Sequence, residues 1–331
     1  MPVTIKDIAR AAGVSHTTVS RALKNHPAIS RETTQRIQQL ARQMGYIPSA
    51  VAQSLLSRQT RTIGMVITTI ADPFVVKVVE GVEQVAQAAN YSVFLATSHN
   101  NPDQEVAIVE TLHRRRVDAI IVTSSRVGSL YSLQLDQIQV PIVLINNNEE
   151  GEYLYSVAVD DEQGAILAVQ HLLSLGHRRI GYVGVNNRPK ANRSRLSGYE
   201  QALTQAGLKV DPTLIIYPDG ENDIQTGQTS LQNLLAARAT AIFCFNDVVA
   251  IGLLTVCRRQ GVIVPDQLSV VGFDNIEPAT YVAPPLTTVA QPLLALGQRA
   301  MEMTLDLLAG HETQDQLLSC QLITRQSTGP L

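Results

Sequence analysis

The segment that decides the fold is TIKDIARAAGVSHTTVSRALKN, which occupies residues 4–25. Thr4 and Asp7 form a capping-box pattern, in which a hydroxyl satisfies early backbone N–H groups and an acid lies near the positive end of a helix. Apolar side chains then recur on one helical face as far as Gly13, where the chain turns. Ser15 can cap a second helix, whose outward side carries hydrogen-bonding groups and one cation. The pattern predicts a helix-turn-helix that enters a DNA major groove.

An ordinary helical hairpin is the alternative interpretation of this segment, and the distribution of charge argues against it. Residues 1–61 contain nine lysine and arginine residues against Asp7 and Glu32, which gives them a net charge of +7. The whole chain carries −3, so the remaining residues carry −10. A basic N-terminal unit on an acidic body is typical of a modular nucleic-acid-binding protein. A structural hairpin has no need of such an asymmetry.

Length and composition limit the architecture. At 331 residues the chain is too long for one ordinary core and predicts two or three folding units. No run reaches the roughly 18 consecutive apolar residues that span a bilayer, and no apolar signal region is present at the start, so we expect a cytoplasmic protein. Three cysteines, odd in number and widely spaced, indicate core filling rather than a disulfide framework or a zinc site.

Two further helices are predicted before the body of the protein. Ile29 and Ser30 form a staple-and-cap pattern, and Gly45 closes the third helix after its apolar stripe. Pro48 disfavours a helical residue before it, and Ser49 can cap a new helix over residues 50–56. Isolated helices shorter than about 12 residues are marginal in water, so this helix must dock on a partner or fold conditionally.

Beyond Thr62 short apolar runs alternate with amphipathic stretches. The predicted strands lie at 63–67, 93–96, 119–122, 142–145, 157–159, 180–185, 214–217, 241–245 and 269–273. The predicted helices lie near 74–90, 102–116, 129–138, 162–175, 194–206, 225–236 and 247–260. This alternation predicts doubly wound parallel sheets, and so many strands divide better between two sheets than in one. We therefore expect two α/β lobes with a ligand-binding cleft between them.

Motifs along the whole chain resemble the lactose-repressor/galactose-repressor (LacI/GalR) family of transcription regulators. They lie at 4–9, 14–15, 18–21 and 23–25 in the head, at 45–48 and 51–55 in the hinge, and at 175–180, 195–199, 246–247, 270–274 and 285–289 in the body. The resemblance implies a helix-turn-helix domain at 1–48, a hinge helix and linker at 49–61, and a periplasmic-binding-protein-like core at 62–331. In that core, lobe one would be about 62–160 plus 290–318, and lobe two about 161–289 plus 319–331.

The resemblance also implies which residues contact DNA. His16, Thr17 and Arg21 lie where the family's recognition helix contacts base edges. The guanidinium of Arg21 suits O6 and N7 of guanine, and a phosphate contact is its alternative role. The further DNA-binding candidates are phosphate contacts, caps and hinge contacts: Thr4, Ser15, Thr18, Ser20, Asn25, Tyr46, Ser49, Ala52 and Gln53.

Leu55 is the most specific of the implied DNA contacts. An exposed leucine on a marginal helix is usually a core residue, whereas the equivalent leucine of this family is wedged from the minor groove into the central base step. Such a wedge costs a few kcal/mol of unstacking and bends the duplex. Ser49 and Ala50 depart from the asparagine and larger residue common at these positions in relatives, although Ser49 can still cap the helix.

Six residues are the candidate effector contacts implied by the resemblance: Asp72, Phe74, Asp160, Arg195, Asn246 and Asp274. A fork of donors from Arg195, an amide from Asn246 and an acceptor from Asp274 can together hydrogen-bond a polyol or a base. The alternative for each is a buried structural pair, and Asp247 is interpreted as a helix cap rather than a ligand contact. Asn222 occupies a position where several relatives present an aromatic ring, and its presence favours a small polar ligand over a flat purine.

The predicted function is therefore a sequence-specific DNA-binding transcriptional regulator, a repressor whose operator affinity is controlled by a small polar effector between the lobes. Asn222 favours a sugar or sugar derivative. The alternatives are a regulator that responds to a nucleobase or phosphorylated metabolite as co-repressor and, in a different class, a solute-binding protein. The expected partners are a near-palindromic operator, the effector and a second copy of the chain, with no membrane, metal or cofactor. Glycine-rich nucleotide loops and a nucleophile elbow are missing from the sequence, which argues against an enzyme.

Overall fold

The computed structural model describes residues 3–46, 59–127, 140–147 and 155–331. The chain divides into two compact units, Met1–Thr60 and Arg61–Leu331, which are described separately. The predicted hinge helix lies outside the described residues, together with Ser49, Ala52, Gln53 and Leu55, and so does the helix predicted near 129–138.

The described residues of the first unit form three helices: α1 (Ile5–Ala12), α2 (His16–Leu23) and α3 (Arg31–Gln43). The Asp7 carboxylate accepts hydrogen bonds from the backbone N–H of Thr4 at 3.0 Å and from its hydroxyl at 2.7 Å, which fixes the start of α1. Gly13 adopts a φ of 66°, the left-handed conformation that ends α1. The apolar faces of the three helices meet in a small core that includes Ile8, Val19 and Ile37. The predicted all-α head is confirmed.

The second unit is built on twelve described strands. They are β1 (Thr62–Ile67), β2 (Ser92–Thr97), β3 (Ala119–Thr123), β4 (Ile142–Ile145), β5 (Ser156–Val159), β6 (Ile180–Val183), β7 (Ile215–Ile216), β8 (Ala241–Cys244), β9 (Ser269–Asp274), β10 (Thr287–Ala290), β11 (Gln316–Leu318) and β12 (Gln321–Ile323). The helices between them are α4 (Pro73–Ala88), α5 (Pro102–Arg114), α6 (Asp161–Ser174), α7 (Pro189–Gln205), α8 (Asp223–Ala236), α9 (Asp247–Gln260) and α10 (Leu293–Leu308).

The strands form two six-stranded sheets, as the alternation of strands and helices predicts. The sheet of lobe one has the order β11-β5-β4-β3-β1-β2, and the sheet of lobe two has the order β12-β10-β9-β8-β6-β7. Every described pair of neighbouring strands is parallel except β10 with β12. The central strands are buried along their length, as expected for sheets covered by helices on both faces.

The chain crosses between the lobes three times: between β5 and α6, between β10 and α10, and between β11 and β12. All three crossings lie at the same side of the molecule, because β5 and β11 are neighbours in one sheet and β10 and β12 are neighbours in the other. The carboxyl ends of the parallel strands and the starts of the helices that follow them therefore border the space between the lobes.

Glycines bring two pairs of helices into backbone contact. A Cβ atom on Gly297 of α10 would lie 2.0 Å from the Val78 carbonyl oxygen of α4, and one on Gly81 of α4 would lie 2.1 Å from the Leu294 carbonyl oxygen. Gly227 of α8 and Gly252 of α9 stand in the same reciprocal relation, with corresponding distances of 2.0 and 2.2 Å to carbonyl oxygens of the facing helix. Each lobe thus contains a helix pair that only glycine permits.

The remaining composition-based expectations concern cysteines and membranes. Cys244, Cys257 and Cys320 are buried with free thiols, as core-filling side chains. Among the described residues, no helix combines the length and the apolar character that crossing a membrane requires.

Candidate ligand cleft and nucleic-acid interface

A cleft of about 570 Å³ lies between the two lobes, a size within the range of small-molecule sites. Four helices begin at its wall, and their N-terminal capping residues line it: Asp72 of α4, Asp160 of α6, Arg188 of α7 and Asn222 of α8. Of the six candidate effector contacts, five line this cleft: Asp72, Phe74, Asp160, Arg195 and Asp274. The structure therefore brings together residues as far apart in the sequence as Asp72 and Asp274.

Arg195 is the best-anchored cation of the cleft, with 4% of its surface exposed. Its Nε donates to Asp161 Oδ1 at 2.9 Å, and its Nη2 lies 2.8 Å from the same oxygen. Nη1 donates to the carbonyl oxygen of Phe245, and the guanidinium lies 4.3 Å from the centroid of that ring. Since the guanidinium carries five N–H groups, these contacts fix its plane and leave donors for a ligand.

Asp274 is the acceptor opposite Arg195. It ends β9 with a φ of 113°, and its Oδ1 lies 3.8 Å from Arg195 Nη2 and accepts from Gln291 Nε2 at 2.5 Å. Burial raises the pKa of Asp274 to about 7, although the Arg195 guanidinium opposes the shift. Burial also raises the pKa of Asp161, again against the effect of Arg195. A carboxyl with a pKa near neutrality can accept from a ligand hydroxyl or, when protonated, donate to one.

Lobe one contributes an acid and an aromatic ring from the start of α4. Asp72 Oδ1 accepts from the backbone N–H of Phe74 at 3.0 Å, which caps the helix. Burial raises the pKa of Asp72, and the Arg188 guanidinium on the opposite lobe counteracts this shift. The half-buried ring of Phe74 adds an apolar surface to the cleft wall. Asp160 caps α6 through an acceptor bond from Gln163 N at 2.9 Å.

Asn246, and not Asp247, caps α9. The interpretation of Asp247 as a helix cap is wrong, because Asn246 Oδ1 caps α9 by accepting from Val249 N at 2.9 Å. Asn246 Nδ2 donates to Asp223 Oδ2 at 2.7 Å, so this amide lies behind the cleft wall. Asp247 is buried in the first turn and accepts from the Thr288 hydroxyl at 2.5 Å. Burial, which nearby Asp274 reinforces, raises its pKa well above the ordinary value.

Several cleft residues were not singled out from the sequence. Arg188 pairs with Asp223, and its guanidinium lies 4.8 Å from the centroid of the Phe245 ring. Gln291, in the crossing between β10 and α10, accepts from Asn146 Nδ2 of lobe one at 3.4 Å. Their position in the sequence is the signal that could have identified them, because these polar residues follow buried strands or precede helices at the carboxyl edge of a sheet.

The cleft lining carries more acids than bases. Its acidic members are Asp72, Asp160, Asp161, Glu162, Glu221, Asp223 and Asp274, and its basic members are Arg188, Lys190 and Arg195. Arg195 and Arg188 are themselves engaged with Asp161 and Asp223. The surplus of carboxylates makes the cleft unfavourable for a phosphorylated ligand.

In the head, α2 presents the candidate DNA contacts. Ser15 Oγ accepts from Thr18 N at 3.1 Å, so Ser15 caps the helix, and the exposed side chains of α2 include His16, Thr17 and Arg21. Asn25 has a φ of 55° after the helix and accepts from Gln38 Nε2 at 2.8 Å. The other described candidates are exposed or half-buried: Thr4, Thr18, Ser20 and Tyr46.

Comparisons with known proteins cover both units. Residues 4–49 match the family described as bacterial regulatory proteins, lacI family, and residues 169–328 match the periplasmic binding protein-like domain. The HTH-type transcriptional repressor CytR of Escherichia coli (strain K12) is 35% identical over 99% of this chain and 97% of its own length.

Solved structures extend the similarity to three dimensions. The lac repressor dimer bound to operator and the anti-inducer ONPF has a TM-score of 0.89 at 26% identity, over 99% of this chain and 100% of the other. The complex of the transcriptional regulator CelR with cellobiose has a TM-score of 0.74 at 28% identity, over 98% of this chain and 99% of the other.

Proposed function

Because the chain belongs to the lacI family of bacterial regulatory proteins, we propose that its DNA binding is controlled by a neutral, polyhydroxylated effector, a sugar or sugar derivative, held between the lobes. The chain is a DNA-binding transcriptional repressor and not an enzyme, as its relatives are repressors. The observation that carries the effector class is the cleft itself, in which hydrogen-bonding groups of both lobes surround a space of about 570 Å³ beside aromatic rings.

The chemistry of the cleft favours a polyol over the two other ligand classes. Arg195 supplies fixed donors, while Asp72 and Asp274 supply carboxyl oxygens, which together suit neighbouring hydroxyl groups. The excess of acids disfavours a phosphate. Asn222 caps α8 through Gln225 N, at 3.0 Å, and offers no ring on which a purine could stack. The solved structure of CelR, a structural neighbour, is a complex with cellobiose, which agrees with a sugar-sized cleft.

For the DNA, we propose that His16, Thr17 and Arg21 contact base edges, since they share the exposed side of α2. The hinge contacts, with Leu55 as the wedge, stay predictions from the sequence. We infer a homodimer on a near-palindromic operator in the cytoplasm, supported by the operator-bound lac repressor dimer. A change in the angle between lobes would separate or appose the hinges. A coupling of about 1–3 kcal/mol suffices for a 5- to 150-fold change in operator affinity.

The effector proposal is tested with purified protein in a thermal-shift screen against cellobiose, D-ribose, their phosphates and nucleobases. A neutral sugar is expected to raise the melting temperature, because a ligand that binds only the folded state stabilises it. The same sugar should release DNA that the protein itself has selected, measured by fluorescence anisotropy. Stabilisation by a nucleobase together with tighter DNA binding would instead establish a co-repressor and contradict the sugar proposal.

A variant pair ties the effect to the cleft. Asp72→Asn keeps the shape of the side chain but removes its charge, so we expect affinity for the stabilising sugar to fall about tenfold through a weakened hydrogen bond. Asp306→Asn, at an exposed position of α10, is the matched control and should bind the sugar as the parent does. Equal losses in both variants would place the sugar elsewhere.

The DNA contact of Arg21 is tested separately. Arg21→Ala should weaken binding to the selected operator by about 1–3 kcal/mol while relaxing preference at one base position, as loss of a bidentate base contact does. Arg42→Ala, an exposed substitution in α3 with the same charge change, serves as control. If Arg21→Ala weakens binding to all sequences equally, Arg21 contacts phosphate instead.

A further inference from the structure

One side chain joins the two lobes across the cleft. Arg126 follows β3 of lobe one, and its Nη1 donates to the carbonyl oxygen of Asn100, also of lobe one, at 3.1 Å. Its Nη2 donates to the carbonyl oxygen of Asn187, which follows β6 of lobe two. Asn100 and Asn187 both line the cleft. We propose that Arg126 is a latch that holds the lobes closed over the cleft before any effector binds.

The place of Arg126 in the topology suits a latch. The three crossings between lobes leave from β5, β10 and β11, at one side of the sheets. Arg126 follows β3, Asn100 follows β2, and Asn187 follows β6, and these strands lie toward the opposite side of their sheets. A contact far from the crossings has a longer lever arm than one beside them. Breaking it therefore permits a wider opening than breaking a contact at the crossings.

A buried acid fixes the backbone from which Arg126 extends. Glu105 of α5 is 3% exposed; its Oε1 accepts from the Ser125 hydroxyl at 2.5 Å, and its Oε2 accepts from the Arg126 backbone N–H at 3.2 Å. Ser125 Oγ in turn accepts from Val127 N at 3.2 Å. Burying a carboxylate is unfavourable unless hydrogen bonds compensate it. Here those bonds fix the backbone of residues 125–127, so little of its freedom is lost when the guanidinium bridges the lobes.

The guanidinium is suited to this bridge because its planar fork serves two acceptors at once. A lysine has a single ammonium nitrogen and cannot reproduce the fork geometry. Both acceptors are backbone carbonyls, so the bridge does not depend on the identity of the side chains at positions 100 and 187. Bonds from a charged donor are stronger than neutral ones, which makes Arg126 able to shift an equilibrium between open and closed lobes.

The test measures the separation of the lobes directly, in the full chain and without ligand. Spin labels go on cysteines introduced at Ala107, on the exposed side of α5, and Gln201, on the exposed side of α7. Cys244, Cys257 and Cys320 are buried, so the labels attach to the introduced cysteines. We expect Arg126→Ala to lengthen and broaden the distance distribution, and Arg126→Lys to give an intermediate one.

Arg114→Ala is the matched control, because Arg114 is an exposed arginine of α5 whose partners among the described residues, Glu110 and Thr111, belong to its own helix. Its distribution should equal that of the parent. A distribution for Arg126→Ala that also equals the parent's would overturn the latch. One expectation of the latch rests on the proposed function, namely its effect on the affinity for the sugar. We expect that affinity to fall about tenfold in Arg126→Ala. The distance measurement needs no effector, so the two proposals fail separately.

Discussion

Replacing Arg195 with methionine is expected to lower the free energy of unfolding by about 3–5 kcal/mol, as removal of one partner of a buried ion pair does. Methionine has a comparable length and no charge, so Asp161 loses both of its bonds from the guanidinium and Asp274 loses its neighbouring cation. The Phe245 carbonyl loses its donor as well. The variant should also fail to bind the effector, because the fixed donors of the cleft are gone.

The loss of stability in Arg195→Met depends on pH. The pKa values of Asp161 and Asp274 determine whether this loss grows or shrinks as pH rises. The pKa of Asp161 and that of Asp274 are raised by burial, and Arg195 holds both lower than burial alone would. Without the guanidinium both pKa values rise further. The folded variant therefore binds more protons than the unfolded chain over a wider pH range than the parent does. The free energy of unfolding then falls as pH rises from about 4 upward. The deficit of the variant should therefore be larger at pH 8 than at pH 5.

Urea unfolding at both pH values measures the effect. Arg299→Met is the control, since Arg299 forms an exposed ion pair with Glu302 within α10, and pairs of this kind contribute about 0–1 kcal/mol. The decrease in the free energy of unfolding of Arg195→Met could equal that of the control, or it could shrink toward alkaline pH. Either result would show that Arg195 does not neutralise the two acids.

Gly297→Ala is expected to destabilise the core by about 1–3 kcal/mol or more, the range for overpacked interiors. The new Cβ would lie 2.0 Å from the Val78 carbonyl oxygen and 2.9 Å from the Val82 nitrogen, and both are backbone atoms of α4 that no rotamer change can move. Alanine favours helix over glycine by about 1 kcal/mol, so the prediction is opposite in sign to helix propensity.

Thermal unfolding of Gly297→Ala and Arg299→Ala, compared with the parent, tests the close approach. Arg299 is two residues further along α10, exposed and paired with Glu302, so its replacement should change stability by no more than about 0.5 kcal/mol. A Gly297→Ala variant as stable as the parent would mean that α4 and α10 can separate without penalty.

The sequence predicted the order of elements well as far as β9, because local signals determine it, whereas β10, α10, β11 and β12 lie beyond the predicted ranges. The helix-turn-helix rests on caps and a glycine within 22 residues, and the strands rest on apolar runs that are buried in the sheets. Boundaries were less accurate where several patterns compete. The helix predicted from 194 begins at Pro189, and the strand predicted at 214–217 is limited to Ile215–Ile216 after a 3₁₀ turn.

Features that depend on residues distant in the sequence could not be predicted from local sequence patterns. Asn246 and Asp247 are both good capping residues, and only the end of β8 decides which one caps α9. Gly297 would count as an unfavourable helix residue until Val78 is known to face it. The bridge from Arg126 to Asn187 joins loops of different lobes, and no periodicity records such a contact.

The close contact of α10 with α4 has a consequence for synthesis on the ribosome. A nascent chain that has reached residue 292 contains β1 to β5 and α4, but the helix that covers this sheet and its edge strand β11 are not yet made. Lobe one therefore completes its core only after some 300 residues have been translated, whereas the head unit ends at Thr60. Throughout that interval the face of α4 that later packs against α10 has no covering helix, so apolar surface that can aggregate stays exposed while the chain is still being made.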